Sequence, residues 1–424
     1  MLKTTLEIIG KKFFGISINV TDTLWITFST VTKVILSMIG SILFARLAGV
    51  EYFGKYQYVF SLNGVAALLI LPGIENALIN SSAKNTEGDF LVAFKKKSSL
   101  LPFYILFFLV INLVIFINTK SFELLLSFFI VSILSGCIAI FDYHLSYFIG
   151  KREYKKLFVC TLMTSFSSIT VVLSYYYLKN FIFQPYVPIY ALIVVPLLWN
   201  TCAYTCIFIY IRKRLIYRTS FSGDFVRYAK NLSYISIFKN IQTNIDEFLV
   251  GTLFKYESLT FYIIGKKIFM NSLYIWSIAL NYLQPRLVGK SIQEANYYFR
   301  KYLKVYWLFL PSIIIFWFLL PSIIKILYGE EFLRASKYAQ LFMVIIVMYI
   351  PVFYLETYYK ANQSYRILFI GRIVDTLSLI SFVIFVYLLQ AYGIIFNKII
   401  ATFVLSLILI LIFIRQMKQQ SVPK

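Results

Sequence analysis

Charge is what this sequence has least of. Only 14% of its 424 residues are charged, while 60% are hydrophobic; a soluble domain carries about a quarter charged residues. So few cannot cover a surface that must face water, which excludes a soluble globular fold and leaves lipid as the matching solvent. Cysteine is scarce too. Cys137, Cys160, Cys202 and Cys206 all lie inside apolar runs. Cys202 and Cys206 share a helix face, but nothing near them completes a metal-ligand set, so they read as small packing residues. His144 is the only histidine. Beside Asp142 it reads as a hydrogen-bonded structural group before a proton relay. No Gly-x-x-x-x-Gly-Lys-Ser/Thr loop occurs, so neither ATP hydrolysis by this chain nor a cofactor is expected. The first long apolar stretch begins near Asn19 without a small-residue cleavage site after it, so no cleaved signal peptide is expected.

Acidic residues are outnumbered, 18 against 41 basic, for a net charge of +23. In a soluble chain that excess would suggest nucleic acid. Here the basic residues fall in short segments between apolar runs, so they report membrane orientation instead. Runs of about 20 apolar residues place twelve spans near 19–45, 56–79, 98–117, 122–149, 157–178, 187–211, 232–254, 260–285, 304–327, 338–359, 366–389 and 393–414. Lys and Arg concentrate on alternate loops, as in Lys95 to Lys97, Lys151 to Lys156 and Arg212 to Lys230. The opposite loops hold few, such as Arg46, Lys55, Lys120 and Lys179. This bias predicts an all-α membrane protein of about twelve transmembrane helices with both termini cytoplasmic.

The chain also echoes itself. Glu51, Phe53 and Tyr56 after the first span match Glu257, Leu259 and Tyr262 after the seventh, at one constant offset. Tyr154, Lys155 and Leu157 match Tyr365, Arg366 and Leu368 in the same way. The echoes predict a duplicated architecture: an N-terminal six-helix lobe at 1–211, a basic linker at 212–231 and a C-terminal six-helix lobe at 232–424. The run from Ala45 to Tyr56 (Ala-Arg-Leu-Ala-Gly-Val-Glu-Tyr-Phe-Gly-Lys-Tyr), the Asp246 to Gly251 stretch and the Leu327 to Phe332 turn resemble the polysaccharide flippases of the Wzx type. These belong to the multidrug/oligosaccharidyl-lipid/polysaccharide (MOP) exporter superfamily. Where that family often has Asp-Arg in the seventh span, this chain has Asp246-Glu247. The resemblance implies two pseudo-symmetric six-helix bundles of the MATE-like kind in a bacterial inner membrane.

Ionisable groups at membrane depth cost about 2.5–3.5 kcal/mol each on insertion scales, so they face a wet cavity or pair with one another. In span one, Asp22, Trp25, Ser29, Lys33, Ser37 and Gly40 form a single helical stripe. Span seven carries Lys239, Gln242, Asp246 and Glu247; span eight carries Asn271; span eleven carries Arg372 and Asp375. Asp22, Glu257 and Arg366 read as structural. Lys33, Lys239 and Arg372, with Ser29, Gln242 and Asn271, are the expected substrate-binding residues. Asp246, Glu247 and Asp375 are the expected ion-coupling ones. The resemblance implies the cargo, an oligosaccharide unit on undecaprenyl pyrophosphate, with a polysaccharide polymerase and a chain-length regulator as partners. A membrane-embedded polymerase or ligase and a multidrug exporter are the rival readings. Short outer loops weigh against the first, and a cationic cavity against the second.

Overall fold

A computed structural model describes residues 20–215, 220–287, 290–362 and 364–421. Among them the backbone is helical almost throughout and contains no strand. The helices are α1 (Val20–Ala48), α2 (Val50–Ala66), α3 (Ile74–Ala83), α4 (Asp89–Thr119), α5 (Phe122–Phe141), α6 (His144–Lys151), α7 (Tyr154–Ser165), α8 (Ser167–Tyr177), α9 (Ile189–Leu215), α10 (Phe225–Leu253), α11 (Tyr256–Leu287), α12 (Ile292–Tyr328), α13 (Ala335–Ala361), α14 (Tyr365–Leu389) and α15 (Ala391–Ser421). Three pairs, α2 with α3, α5 with α6 and α7 with α8, read as single passes interrupted by a break, which leaves twelve helical passes among the described residues, as many as the sequence predicts. Eight passes are long and apolar enough to cross a membrane, judged on the described residues. The largest boundary difference is at α12, which starts at Ile292 rather than 304. A capping box between Ser291 and Glu294 starts it there, and its polar first turns precede the apolar run.

The described residues pack as two compact units, one within Val31–Thr260 and the other within Met1–Thr30 and Phe261–Lys424. In the first, α9 lies against α5 and α8, α4 against α5, α3 against α6, and α10 along both α2 and α3. In the second, α15 lies against α13 and α14, and α12 against α13.

The internal echo has structural content. Phe53 and Leu259 are both fully buried, Tyr56 and Tyr262 are buried, and Glu51 and Glu257 are both exposed. Leu157 and Leu368 are likewise both buried, one turn into α7 and α14. The two copies of the first motif also touch. The Thr260 hydroxyl donates to the Val50 carbonyl at 2.6 Å. Gly54 lies so close to α11 that a Cβ would stand 2.1 Å from the Tyr256 carbonyl oxygen. The glycine of the motif is therefore a helix-contact residue, where small size lets two backbones approach.

A proline inside a helix frees a carbonyl, and at two of them a side chain answers it. Pro351 on α13 removes the bond to Val347, whose oxygen accepts the Tyr306 hydroxyl of α12 at 3.0 Å instead. Pro321 on α12 frees Trp317, whose oxygen accepts from the Gln340 amide at 3.3 Å, while the Trp317 indole donates to the Gln340 carbonyl at 3.0 Å. At the junction of α6 and α7 the Arg214 guanidinium grips both oxygens of Glu153 at 2.8 and 2.9 Å, and Lys156 adds a third contact at 2.8 Å. Arg214 first, then Lys156, holds the Glu153 carboxyl down to about 2. The clamp is therefore complete above the ordinary glutamate range and is lost only as pH falls through about 2.

Gly54→Ala should cost about 1–3 kcal/mol of stability, because the added methyl meets rigid backbone. A melting curve of the purified protein reads this as a lower Tm. Gly223→Ala, where nothing lies within 4 Å, should leave the curve unchanged.

Candidate functional site

The breaks in the first unit decide where its charges sit. After α2 and a 3-10 turn at Ala67–Ile70, the chain turns through Leu71, Pro72 and Gly73, with Leu71 at φ 47. The Gly73 amide donates to the Ser233 hydroxyl of α10 at 3.0 Å. A helix then restarts with Glu75 in its first turn, where the peptide dipoles favour a carboxylate. Glu75 is accessible to water although protein atoms crowd it on nearly every side. Glu75 thus stands on a water-exposed wall of the first unit.

Five further helices bring polar groups to this wall. Lys33 of α1, Lys97 of α4 and Asp142 at the α5–α6 break are near enough to Glu75 to act on its charge, and Tyr204 of α9 feels both Glu75 and Asp142. Lys97 is 2% exposed; its ammonium pairs with Asp142 and donates to the Ala139 carbonyl at 3.0 Å. The Tyr143 ring centroid stands 5.4 Å from the same ammonium. His144 of α6 is fully buried. Its Nδ1 lies 3.1 Å from the Phe141 carbonyl, and Tyr204 packs edge-on at 4.9 Å. The histidine thus bonds to backbone, as the sequence suggests. The wall carries both signs, which suits hydroxyl-rich ligands: carboxylates accept from hydroxyls and ammonium groups donate to them.

The residues named from sequence fare unevenly. Lys33 lies on this wall and is exposed. Its stripe is not uniformly wet, since Ser29 is buried and Gly40 packs against Ser168 of α8, where a Cβ would come within 2.5 Å of the carbonyl. Asp246 is buried, and one of its oxygens accepts the Glu247 amide at 2.9 Å; Glu247 and Asn271 are partly buried. The side chains of Lys239, Gln242 and Asp375 fall outside the described residues. Arg372, in the second unit, is 3% exposed and donates to Glu356 of α13 at 2.9 Å, with Lys360 3.5 Å from the other carboxylate oxygen. Its charge is answered locally by an acid that the sequence reading did not single out.

Glu75 and the inward turn of Lys97 were also missed. The signal for Glu75 was present: an acid inside an apolar run, directly after Pro72-Gly73, marks a broken span. Lys97 had none, because the cluster Lys95 to Lys97 reads as loop charge. In the structure it lies about two turns into α4, with Lys95 and Lys96 outward and Lys97 buried.

A family model described as polysaccharide biosynthesis protein matches residues 43–337, which is more than half of the chain. The chain belongs to that family. No curated protein matches it by sequence. Among solved structures, lipid II flippase MurJ in an inward closed conformation is similar with a TM-score of 0.64 at 16% identity, over 92% of this chain and 87% of that one. A MOP superfamily transporter from Pyrococcus furiosus gives 0.65 at 10% identity, over 93% and 96%. A MATE transporter from Vibrio cholerae gives 0.66 at 10%, over 99% of each chain. At these identities the likeness establishes the fold. This polysaccharide biosynthesis protein is thus a multi-pass, all-α membrane protein of the MOP, MATE-like fold, as the sequence predicts.

In it the Arg372–Glu356 pair should behave as a buried ion pair. Glu356→Leu strands the guanidinium and should cost about 3–5 kcal/mol, whereas Glu356→Leu with Arg372→Met should recover most of that loss. Thermal melts of the single and double variants measure the difference.

Proposed function

We propose that the protein is a flippase. It moves oligosaccharide repeat units carried on undecaprenyl pyrophosphate across the bacterial inner membrane, by alternating access, for O-antigen or capsular polysaccharide synthesis. The observation that carries this reading is the wall where the water-exposed Glu75 and Lys33 adjoin the Lys97–Asp142 pair, whose lysine is buried, set among apolar helices of a polysaccharide biosynthesis family member. Sugar hydroxyls crossing hydrocarbon each need a hydrogen-bond partner, while a polyprenyl tail stays in lipid. The lipid II flippase of the same fold supports a lipid-linked cargo.

In this reading the pyrophosphate is drawn by Lys33 and Lys239, and Ser29, Gln242 and Asn271 stand in for water around the sugars. Arg372 serves through its pair with Glu356 rather than as a bare cation. Asp246, Glu247 and Asp375 are the candidates for ion coupling. The lobes at 1–211 and 232–424 rock about the linker at 212–231 with both termini cytoplasmic, and the delivered units pass to a polysaccharide polymerase and its chain-length regulator.

Proteoliposomes loaded with a fluorescent undecaprenyl-pyrophosphate oligosaccharide test the reading through the leaflet distribution of the label. Wild-type protein should equilibrate the label between leaflets. Lys33→Ala with Lys239→Ala should slow it at least about tenfold, since two charge-assisted contacts of about 1.5–3 kcal/mol each are lost. Unchanged transfer at equal protein level would sink the residue assignment. Glycan chain growth would install the polymerase reading, and dye transport without sugar transfer the drug-exporter reading.

A further inference from the structure

We propose that a groove between α7 and α9 is a binding site for one chain of an anionic membrane phospholipid, with the phosphate held at Lys155 and Lys156. The groove is a cavity of about 530 Å³ walled by Phe148, Val159, Cys160, Met163, Cys206 and Ile207, with Lys155, Lys156 and Tyr210 completing it. That volume is in the range of small-ligand sites. Its origin is local. Val159 and Cys160 on α7 face Cys206 on α9, and these short side chains leave the two helices unfilled between them. At the far end the pass bends at Phe166, and the Trp199 indole takes the Met163 carbonyl at 2.9 Å.

The walls offer almost nothing to a sugar or a nucleotide. The polar end is different. Lys156 and Arg214 share Glu153, and both stack toward the Tyr210 ring, at 6.0 and 5.8 Å. Lys155 is exposed and has no ion pair or hydrogen bond among the described residues. Three cations against one carboxylate leave an excess of positive charge beside an apolar slot. A phosphodiester with a hydrocarbon chain has the complementary layout.

The groove is also separate from the charged wall. On α9, Tyr204 points toward Glu75 and Asp142. At 3.6 residues per turn, Cys206 projects about 160° and Tyr210 about 120° from Tyr204 around that helix, so both face away from it. A lipid bound there sits on the outer face as a resident, not on the cargo's path. Because lipid tails are as apolar as the groove, burial of the chain gives little selectivity, and the headgroup charge must supply it.

Native mass spectrometry of the detergent-purified protein, titrated separately with phosphatidylglycerol, phosphatidylethanolamine and undecaprenyl phosphate, tests this. One phosphatidylglycerol should be retained at about tenfold or more lower concentration than phosphatidylethanolamine. Lys155→Glu with Lys156→Glu should erase that preference. Cys206→Trp, which fills the slot, should abolish retention of the single adduct. Lys155→Glu alone, at an exposed position, keeps the test valid if the other variants misfold, and should weaken retention severalfold. Equal retention of the two phospholipids, or charge variants that bind like wild type, would overturn the proposal. So would retention of undecaprenyl phosphate that phosphatidylglycerol does not displace, since the slot would then belong to the cargo's tail.

Discussion

A charge taken out of water into a bundle of apolar helices loses several kcal/mol of solvation, and only a close opposite charge or a wet surface makes that tolerable. The arrangement of this protein follows from that constraint. Lys97 meets Asp142 inside one unit, Arg372 meets Glu356 inside the other, and at one end of α2 Lys55 meets Glu123 at 2.6 Å. Glu123 in turn takes the Tyr186 hydroxyl and the Ile189 amide, so one carboxylate ties α2, α5 and the start of α9 together. Where water supplies part of the solvation instead, as at Glu75 and Lys33, the polar side chains stay exposed.

Much of this was legible in the amino-acid order. Apolar runs and the alternation of basic loops gave the twelve passes, because lipid imposes a fixed length on every crossing. The duplication showed in Glu51, Phe53 and Tyr56 against Glu257, Leu259 and Tyr262, and the paired positions have matching exposure. The motif containing Gly54 pointed to a family, though its physical reason, contact with the backbone of Tyr256, needs three dimensions.

The site was legible only in part, and the reason is pairing. A sequence shows which charges lie at depth but not which opposite charge each will find. Arg372 looked like a ligand-facing cation because Glu356 is one pass away, in a stretch that reads as the end of span ten. Lys97 looked like loop charge because its neighbours are. Glu75 was hidden by the apolar run around it, and only the turn through Leu71, Pro72 and Gly73 explains how an acid there reaches water. The two faces of α9 illustrate the same limit. Tyr204 serves the charged wall, while Cys206, two residues later, borders an oily slot on the other side.

The prolines of α12 and α13 have a consequence for how such a molecule can move. A proline that merely breaks a helix leaves an idle carbonyl and a soft joint. Here the oxygens released by Pro351 and Pro321 are already occupied, by Tyr306 from α12 and by Gln340 from α13. At these two prolines α12 and α13 are thus cross-linked to each other in both directions. Opening the helix further at Pro351 or Pro321 would therefore cost a hydrogen bond to the neighbouring helix as well.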